Sequence, residues 1–585
     1  MPCALQAQGI SYRVRVGGSD RTFHVHAEFP NGAGRDTLLL ALPAWSPGSY
    51  EIMDYARYVH TFSAAAPDGR ALPWSKADKD TWRILTLGAS RVSVDFETDP
   101  DSVALELSRI EPGFAWFNGT NLFLYPVGQG FDFPADVELD VPPGWRIATG
   151  LAPAEGSHYR ASSYHDLVDA PVFLGRFAYD SVVVDGRPVR LAIHPDSALT
   201  PVVWDTVGRA LRLIASAEDR IMGGPVDSGY TVLVYAPAGE LDWAGGLEHH
   251  NSQFDVIAMD FFASDRRRGI LGDFTLPLLA HEFFHLWNVK RIRPAAMWPY
   301  EYAHAQYTPL LWWSEGVTDY YADVALARSG LWTPEQFVDG LSADVQQVED
   351  AAEIVSVEDA SVDTWIHPTY VDEAQYYYPK GALLGLMLDI GIRRATADRH
   401  CLDDVMRALL SDYWRQGRGF TTGDLLDLIR PWYGGVDDFY RRFIRGREPL
   451  PYDSVLPLGG IAVERHEERV AQVGVAMGKE EAGGVEVTEV VPGSLADEAG
   501  LAPDDVLLKV GDVSASSPLW PIAFRSRYDG ADGSVVPVTY RHAGRLVVRS
   551  ATLHVRVARS IALRPDPAAA PEARAVFEGI AGARP

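Results

Sequence analysis

Along the first third of the chain, apolar and polar side chains alternate. Phe23, Val25, Ala27 and Phe29, then Val92, Val94 and Phe96, then Val137, Leu139 and Val141 recur at every second position. That period turns one face of a strand toward a core. Pro30-Asn31-Gly32 and Pro142-Pro143-Gly144 punctuate the runs with turns, so residues 10 to about 179 read as an all-β, sandwich-like domain. After Pro195 the period becomes helical, with Val203, Val207, Leu211 and Leu213-Ile214 on one face. Two strand candidates, Tyr230 to Tyr235 and Phe254 to Met259, interrupt a mainly helical pattern that continues to about Gly446. Strand-like runs return from about Val455 to Val557, and an Ala/Pro-rich end after Pro565 reads as flexible. The expected architecture is multidomain α+β, divided as 1–180, 181–450, 451–560 and a tail over 561–585.

Within the helical part, an apolar run beginning near Phe274 contains His281-Glu282-Phe283-Phe284-His285. Residues four apart on a helix lie nearly above one another, so both imidazoles can reach one ion, with Glu282 beside it. Two neutral imidazoles and a carboxylate suit Zn²⁺, one per chain, and a catalytic site keeps a fourth position for water. The plain alternative is a helix with two satisfied histidines. A second apolar stretch, Leu-Trp-Trp-Ser-Glu-Gly-Val-Thr-Asp-Tyr-Tyr at 311–321, carries carboxylates four apart. An acid flanked by Trp and Leu is costly unless paired or bound to a cation, which makes Glu315 the natural third ligand. Asp319, one turn on, is placed to accept the free ring N–H of a ligating histidine; its plain alternative is a solvated helix position. Asn288 belongs beside the ligands or simply ends the helix.

His-Glu-Phe-Phe-His-Leu-Trp-Asn at 281–288, followed by Trp-Ser-Glu-Gly-Val-Thr-Asp-Tyr-Tyr at 313–321, resembles the glycyl aminopeptidase family of zinc metallopeptidases, relatives of thermolysin and the alanyl aminopeptidases. The resemblance implies a thermolysin-like catalytic domain over 181–450 in which an edge strand next to the metal helix holds extended substrate. Gly245 and Gly246 would let the peptide approach there. Gly-Gly-Leu-Glu-His at 245–249 is similar to the element whose Glu binds the substrate α-amine in alanyl aminopeptidases, which implies that role for Glu248. His249 and His250 then read as substrate-side or surface groups. Tyr-Pro-Lys-Gly at 378–381 resembles the element that supplies a tyrosine to the transition state, implying Tyr378 as oxyanion donor with Tyr376 and Tyr377 as rivals. Lys290-Arg291-Ile292-Arg293-Pro294 reads as a solvated helix end, and Trp45-Ser46-Pro47-Gly48-Ser49-Tyr50 as a packed corner. Gly484 to Val487, Val491 to Ala496 and Asp504 to Leu507 resemble a bacterial PDZ domain, with Val473, Gly474 and Val475 as its carboxylate loop.

Composition narrows the partners. Lys+Arg 52 against Asp+Glu 79 gives a net charge of −27, which disfavours nucleic acid and anionic lipid. Two cysteines make no disulfide framework. No apolar run approaches the ~20 residues of a membrane span, and the N-terminus lacks a signal peptide's pattern. The chain as written is expected in the cytoplasm, or in the periplasm or outside the cell if a leader has been removed. The expected function is a zinc aminopeptidase acting on peptides with a free N-terminus and, as the resemblance implies, preferring Gly or Ala. The PDZ domain would take C-terminal peptide ends. Two other readings stay open at this point: an endopeptidase with the same metal site, and a PDZ-based scaffold with an idle zinc site.

Overall fold

The computed structural model describes residues 9–16, 21–32, 34–99, 102–195, 201–237, 243–258, 275–351, 355–366, 376–481, 483–517 and 519–582. Phe274 and Met259, which bounded two of the expected runs, lie outside them. The chain forms two compact units, one of residues 1–462 with 564–585 and one of 463–563.

In the larger unit the alternating segments become strands Phe23–Pro30, Arg91–Thr98 and Ala135–Asp140. Their odd-numbered or even-numbered apolar residues are buried, as a period of two requires. These strands belong to a seven-stranded sheet, and two four-stranded sheets complete the β-rich part. A mixed five-stranded sheet begins at Ala178. In it Arg187–His194, Tyr230–Tyr235 and Ser252–Val256 run parallel, while Gly245–His249 pairs antiparallel with Ser252–Val256 and forms one edge. Phe114, Trp116 and Phe173 of the β-rich part share one apolar core with Leu233, Phe254 and Val256 of this sheet. The aromatic contacts across it, such as Trp116 to Phe254 with centroids 5.7 Å apart, fix the β-rich part against this sheet.

Helix Pro201–Met222 buries Val207, Leu211 and Ile214, the stripe read from the sequence. Helix Thr275–Phe284 carries the His-Glu pair, and a wide π-type turn over Trp312–Gly316 leads into helix Val317–Ser329. Helix Tyr377–Thr396 crosses that turn where Gly316 meets Gly381. A Cβ on Gly316 would lie 2.6 Å from both the Gly381 Cα and the Tyr377 carbonyl oxygen, so the two backbones touch only because neither residue has a side chain. Among the described residues no helix is long and apolar enough to cross a membrane.

The smaller unit is a β domain whose main sheet has six strands, with helices Leu495–Ala499 and Trp520–Tyr528 packed on a core of Val487, Leu507, Val538 and Phe524. Val473, Gly474 and Val475 open strand Val475–Glu481, and with Val491, Trp520 and Phe524 they line a groove.

The chain end departs from the sequence reading. Residues expected to be flexible form helix Pro571–Ala581 in the larger unit, burying Val576, Phe577 and Ile580. Arg328 donates from Nε to the Ile580 carbonyl (2.9 Å) and pairs with Asp403 (2.7 Å). The Ala-rich composition that suggested disorder is also good helix composition once one face is covered. Gly460 O accepts from Asp566 N at 2.8 Å, so the two ends of the 463–563 insertion leave the larger unit side by side. Truncating the chain after Leu450 should therefore destabilise the larger unit. Loss of Phe577 and Ile580 burial alone costs about 3–6 kcal/mol, read as a lower melting temperature. Replacing only 463–563 by a short linker should leave the melting of that unit nearly unchanged.

Candidate active site

The site begins with two lone pairs that face each other. His281 Nδ1–H donates to Asp319 Oδ1 at 2.6 Å and His285 Nδ1–H to the Asn288 carbonyl at 2.5 Å. Each hydrogen bond fixes its imidazole as the tautomer whose Nε2 carries a lone pair. The two Nε2 atoms nevertheless lie 2.9 Å apart, and Glu315 Oε2 lies 3.5 Å from one and 3.2 Å from the other. Three acceptors converging in a buried space repel one another unless a cation sits between them. Tetrahedral zinc with bonds of about 2.0–2.2 Å sets its donors roughly 3.3 Å apart, so this donor set fits a zinc ion.

Local structure explains the convergence. The motif helix ends at Phe284, yet His285 N still donates to the His281 carbonyl (3.2 Å), keeping the four-residue relation through the last turn. Asn288 does both things open to it: its carbonyl holds His285, and its Nδ2 donates to Trp313 O (2.8 Å) and Thr318 Oγ1 (3.1 Å), tying the motif to the segment that bears Glu315. Glu282 lies against the edge strand. A Cβ on Gly246 would come within 2.4 Å of its carboxyl carbon, so only glycine leaves room for the carboxylate there, while a Cβ on Gly245 beside it would lie 3.3 Å from Leu105. Glu282 Oε2 is buried without a hydrogen-bond partner among the described residues. Burial pushes the Glu282 carboxyl well above its ordinary range; His281 opposes this, and Glu248, Asp255 and Glu315 add to it.

Tyr378, at the start of its helix, has its ring 6.2 Å from that of His281. Burial, then Glu315, Tyr377 and Asp319, raise its phenol well above 10, so it is a hydrogen-bond donor. Tyr377 is turned toward Thr364, 3.3 Å from its hydroxyl, and Tyr376 packs as the residue before the helix. Glu248, on the edge strand, is buried. Ligand atoms of Glu248, Glu282 and His285 all lie within 4.8 Å of one another.

Three parts of the site differ from the sequence reading. The Trp45 to Tyr50 segment is packed, and it is also part of the site: Tyr50 donates to Glu315 Oε1 at 2.5 Å. Lys290 and Arg291, expected as a solvated helix end, are buried. Lys290 Nζ reaches Asp169 (3.2 Å), the Pro47 carbonyl (3.3 Å) and, at 3.7 Å, Glu248; Arg291 caps the carbonyls of Leu286 and His250. His249 is neither a surface group nor substrate-facing, because its Nδ1 lies 3.0 Å from Asp169 in the interior. The partners of these groups are 121 and 265 residues away in sequence, beyond any local pattern. The signal that was present is a Lys-Arg run embedded between apolar residues.

Residues 11–176 match the Peptidase M61 N-terminal domain, 275–384 the M61 glycyl aminopeptidase and 486–523 a PDZ domain. No protein of curated function matches the chain. Among solved structures, an aminopeptidase N family protein from Idiomarina loihiensis is similar over 97% of this chain and 99% of its own, with 23% identity and a TM-score of 0.85, a likeness of fold. An M1 zinc metallopeptidase from Deinococcus radiodurans matches 76% of this chain and 96% of its own at 15% identity and a TM-score of 0.46. A leukotriene A4 hydrolase from Saccharomyces cerevisiae matches 76% and 68% at 13% identity and 0.47.

Tyr50→Phe removes the donor that holds one oxygen of Glu315 while leaving the ring in place. Zinc affinity, measured by chelator competition, should fall about 10- to 100-fold, the usual cost of losing such a supporting hydrogen bond. An unchanged affinity would remove Tyr50 from the metal site.

Proposed function

We propose, from the premise that this chain belongs to the M61 glycyl aminopeptidase family of zinc metallopeptidases, that it removes small residues such as glycine or alanine from the free N-terminus of peptides. The observation that carries the reading is the closeness of Glu248 to Glu282 and His285, all within 4.8 Å. In one residue the α-amine nitrogen and carbonyl carbon are only about 2.5 Å apart. A residue whose ammonium contacts Glu248 thus has its carbonyl carbon beside Glu282 and the histidines, the position of the first peptide bond.

His281, His285 and Glu315 would hold one zinc ion, which would supply Lewis acidity toward water and the scissile carbonyl. Glu282 accepts a proton from the attacking water as the C–O bond forms, then delivers it to the leaving nitrogen as the C–N bond breaks. Tyr378 donates its O–H to the oxygen that gains charge in the transition state. The edge strand Gly245–His249 pairs with the extended substrate backbone, and Gly245 and Gly246 keep that approach unobstructed. In the smaller unit, the groove at Val473, Gly474 and Val475 takes an extended chain end by strand addition.

Glu282→Gln should keep zinc and lose several orders of magnitude in kcat. Tyr378→Phe should lose about 10²-fold in kcat with little change in KM, and Tyr377→Phe much less. The register is tested by a two-by-two comparison of wild type and Glu248→Ala on free and N-acetylated forms of one short peptide. An ammonium–carboxylate contact is worth roughly 1.5–3 kcal/mol, so the variant should lose about 10- to 150-fold in kcat/KM on the free form and little on the acetylated form. Equal losses on both would reduce the reading to a zinc peptidase of unknown register.

A further inference from the structure

Behind Glu248 lies a closed charge cluster that the proposed chemistry does not use. Lys290 is buried, with its ammonium between two carboxylates. The distances are unequal. Asp169 at 3.2 Å and the Pro47 carbonyl at 3.3 Å are hydrogen-bond partners, whereas Glu248 at 3.7 Å is an ionic neighbour without a hydrogen bond. Glu248 Oε1 accordingly has no hydrogen-bond partner among the described residues although it is buried, and a buried acceptor left open in this way is waiting for a donor. His249 on the far side of Asp169 is disfavoured as a cation by its burial, which Asp169 opposes. Glu248 and Asp169 therefore face one permanent cation, and the cluster is one positive charge short.

The loop from the β-rich part closes the remaining side. A Cβ on Gly48 would lie 2.4 Å from Glu248 Oε2, and Pro47 next to it holds Lys290. Burial works against the Lys290 ammonium, but Asp169 and then Glu248 outweigh it and raise its pKa. Asp169 stays ionised: burial opposes this, and Lys290 and then His249 overcome it.

We propose that Asp169 is a positioning residue for the amine subsite: by hydrogen-bonding Lys290 it holds that ammonium off Glu248, so that Glu248 is left to accept the ammonium of a substrate's N-terminus. The inference rests on the aminopeptidase reading of Glu248. Without the Asp169 charge, Lys290 swings onto Glu248, fills its open acceptor and neutralises the subsite. The substrate ammonium then competes with an internal one.

The test uses the full-length zinc-loaded protein and the same free and N-acetylated peptide pair. Asp169→Asn preserves shape and should raise KM for the free peptide about tenfold or more, with a smaller change in kcat. Zinc content and kcat/KM for the acetylated form should be unchanged. Asp169→Asn combined with Lys290→Met removes the released cation and should restore much of the affinity, an outcome that structural damage would not produce because the second lesion would add to the first. Where the single variant does not fold, the double variant, which removes the pair together, must still discriminate between free and acetylated peptide as wild type does. Equal losses on both peptides, no change in KM, or a double variant worse than the single one would overturn the proposal. If Glu248→Ala loses rate selectively on the free peptide while Asp169→Asn does not behave as stated, only this inference falls. If Glu248→Ala loses equally on both peptides, the aminopeptidase reading of Glu248 falls with it.

Discussion

Three electron-pair donors pointed at one buried spot are the constraint on which the rest of this fold depends. His281 and His285 Nε2 at 2.9 Å, with Glu315 Oε2 within 3.5 Å of both, are tolerable only around a cation. Holding them there takes support from four separate segments: Asp319 on one imidazole, the Asn288 carbonyl on the other, Tyr50 on Glu315, and the Gly316–Gly381 contact that lets the Tyr378 helix approach. Each support also orders its own neighbourhood, so metal binding and the packing of this region are linked.

The same economy governs the charges. Glu282, Glu248 and Asp255 are carboxyls buried close together, and burial alone pushes Asp255 up to about 8, opposed by its bond from Gln253. Asp255, held neutral in this way, adds no charge there. Lys290 stands 3.7 Å from Glu248 and is in turn hydrogen-bonded to Asp169 at 3.2 Å. The cluster is thus graded, from Asp169, which contacts both Lys290 and His249, to Glu248 with one acceptor open.

What was legible in the sequence is what depends on short spacing. His281 and His285 one turn apart, Glu315 and Asp319 on the next helix, and the two-residue period of the β-rich strands are local patterns, and the structure brings their residues together as those patterns suggest. Tyr50 and Asp169 were not legible as site residues because their partners come from distant segments. The basic run at 290–293 misled for a physical reason: Lys and Arg after a helix are normally solvated, and only the folded chain shows that Asp169 and the Pro47 carbonyl replace that water. The C-terminal helix was missed because Ala-rich composition is neutral between helix and coil until a packing surface is supplied, here the one around Arg328.

The surroundings of Glu248 depend on the way the β-rich part and the five-stranded sheet are joined. Pro47 and Gly48, Asp169 and Lys290 enclose Glu248, three segments that no single element carries. Their mutual placement is fixed by the aromatic core in which Trp116 and Phe173 of one part pack on Phe254 of the other. Movement across that core by about 1 Å would take the 3.2 Å Asp169–Lys290 contact out of hydrogen-bond range. The shared apolar core is thus what keeps Asp169 and the Pro47 carbonyl against Lys290.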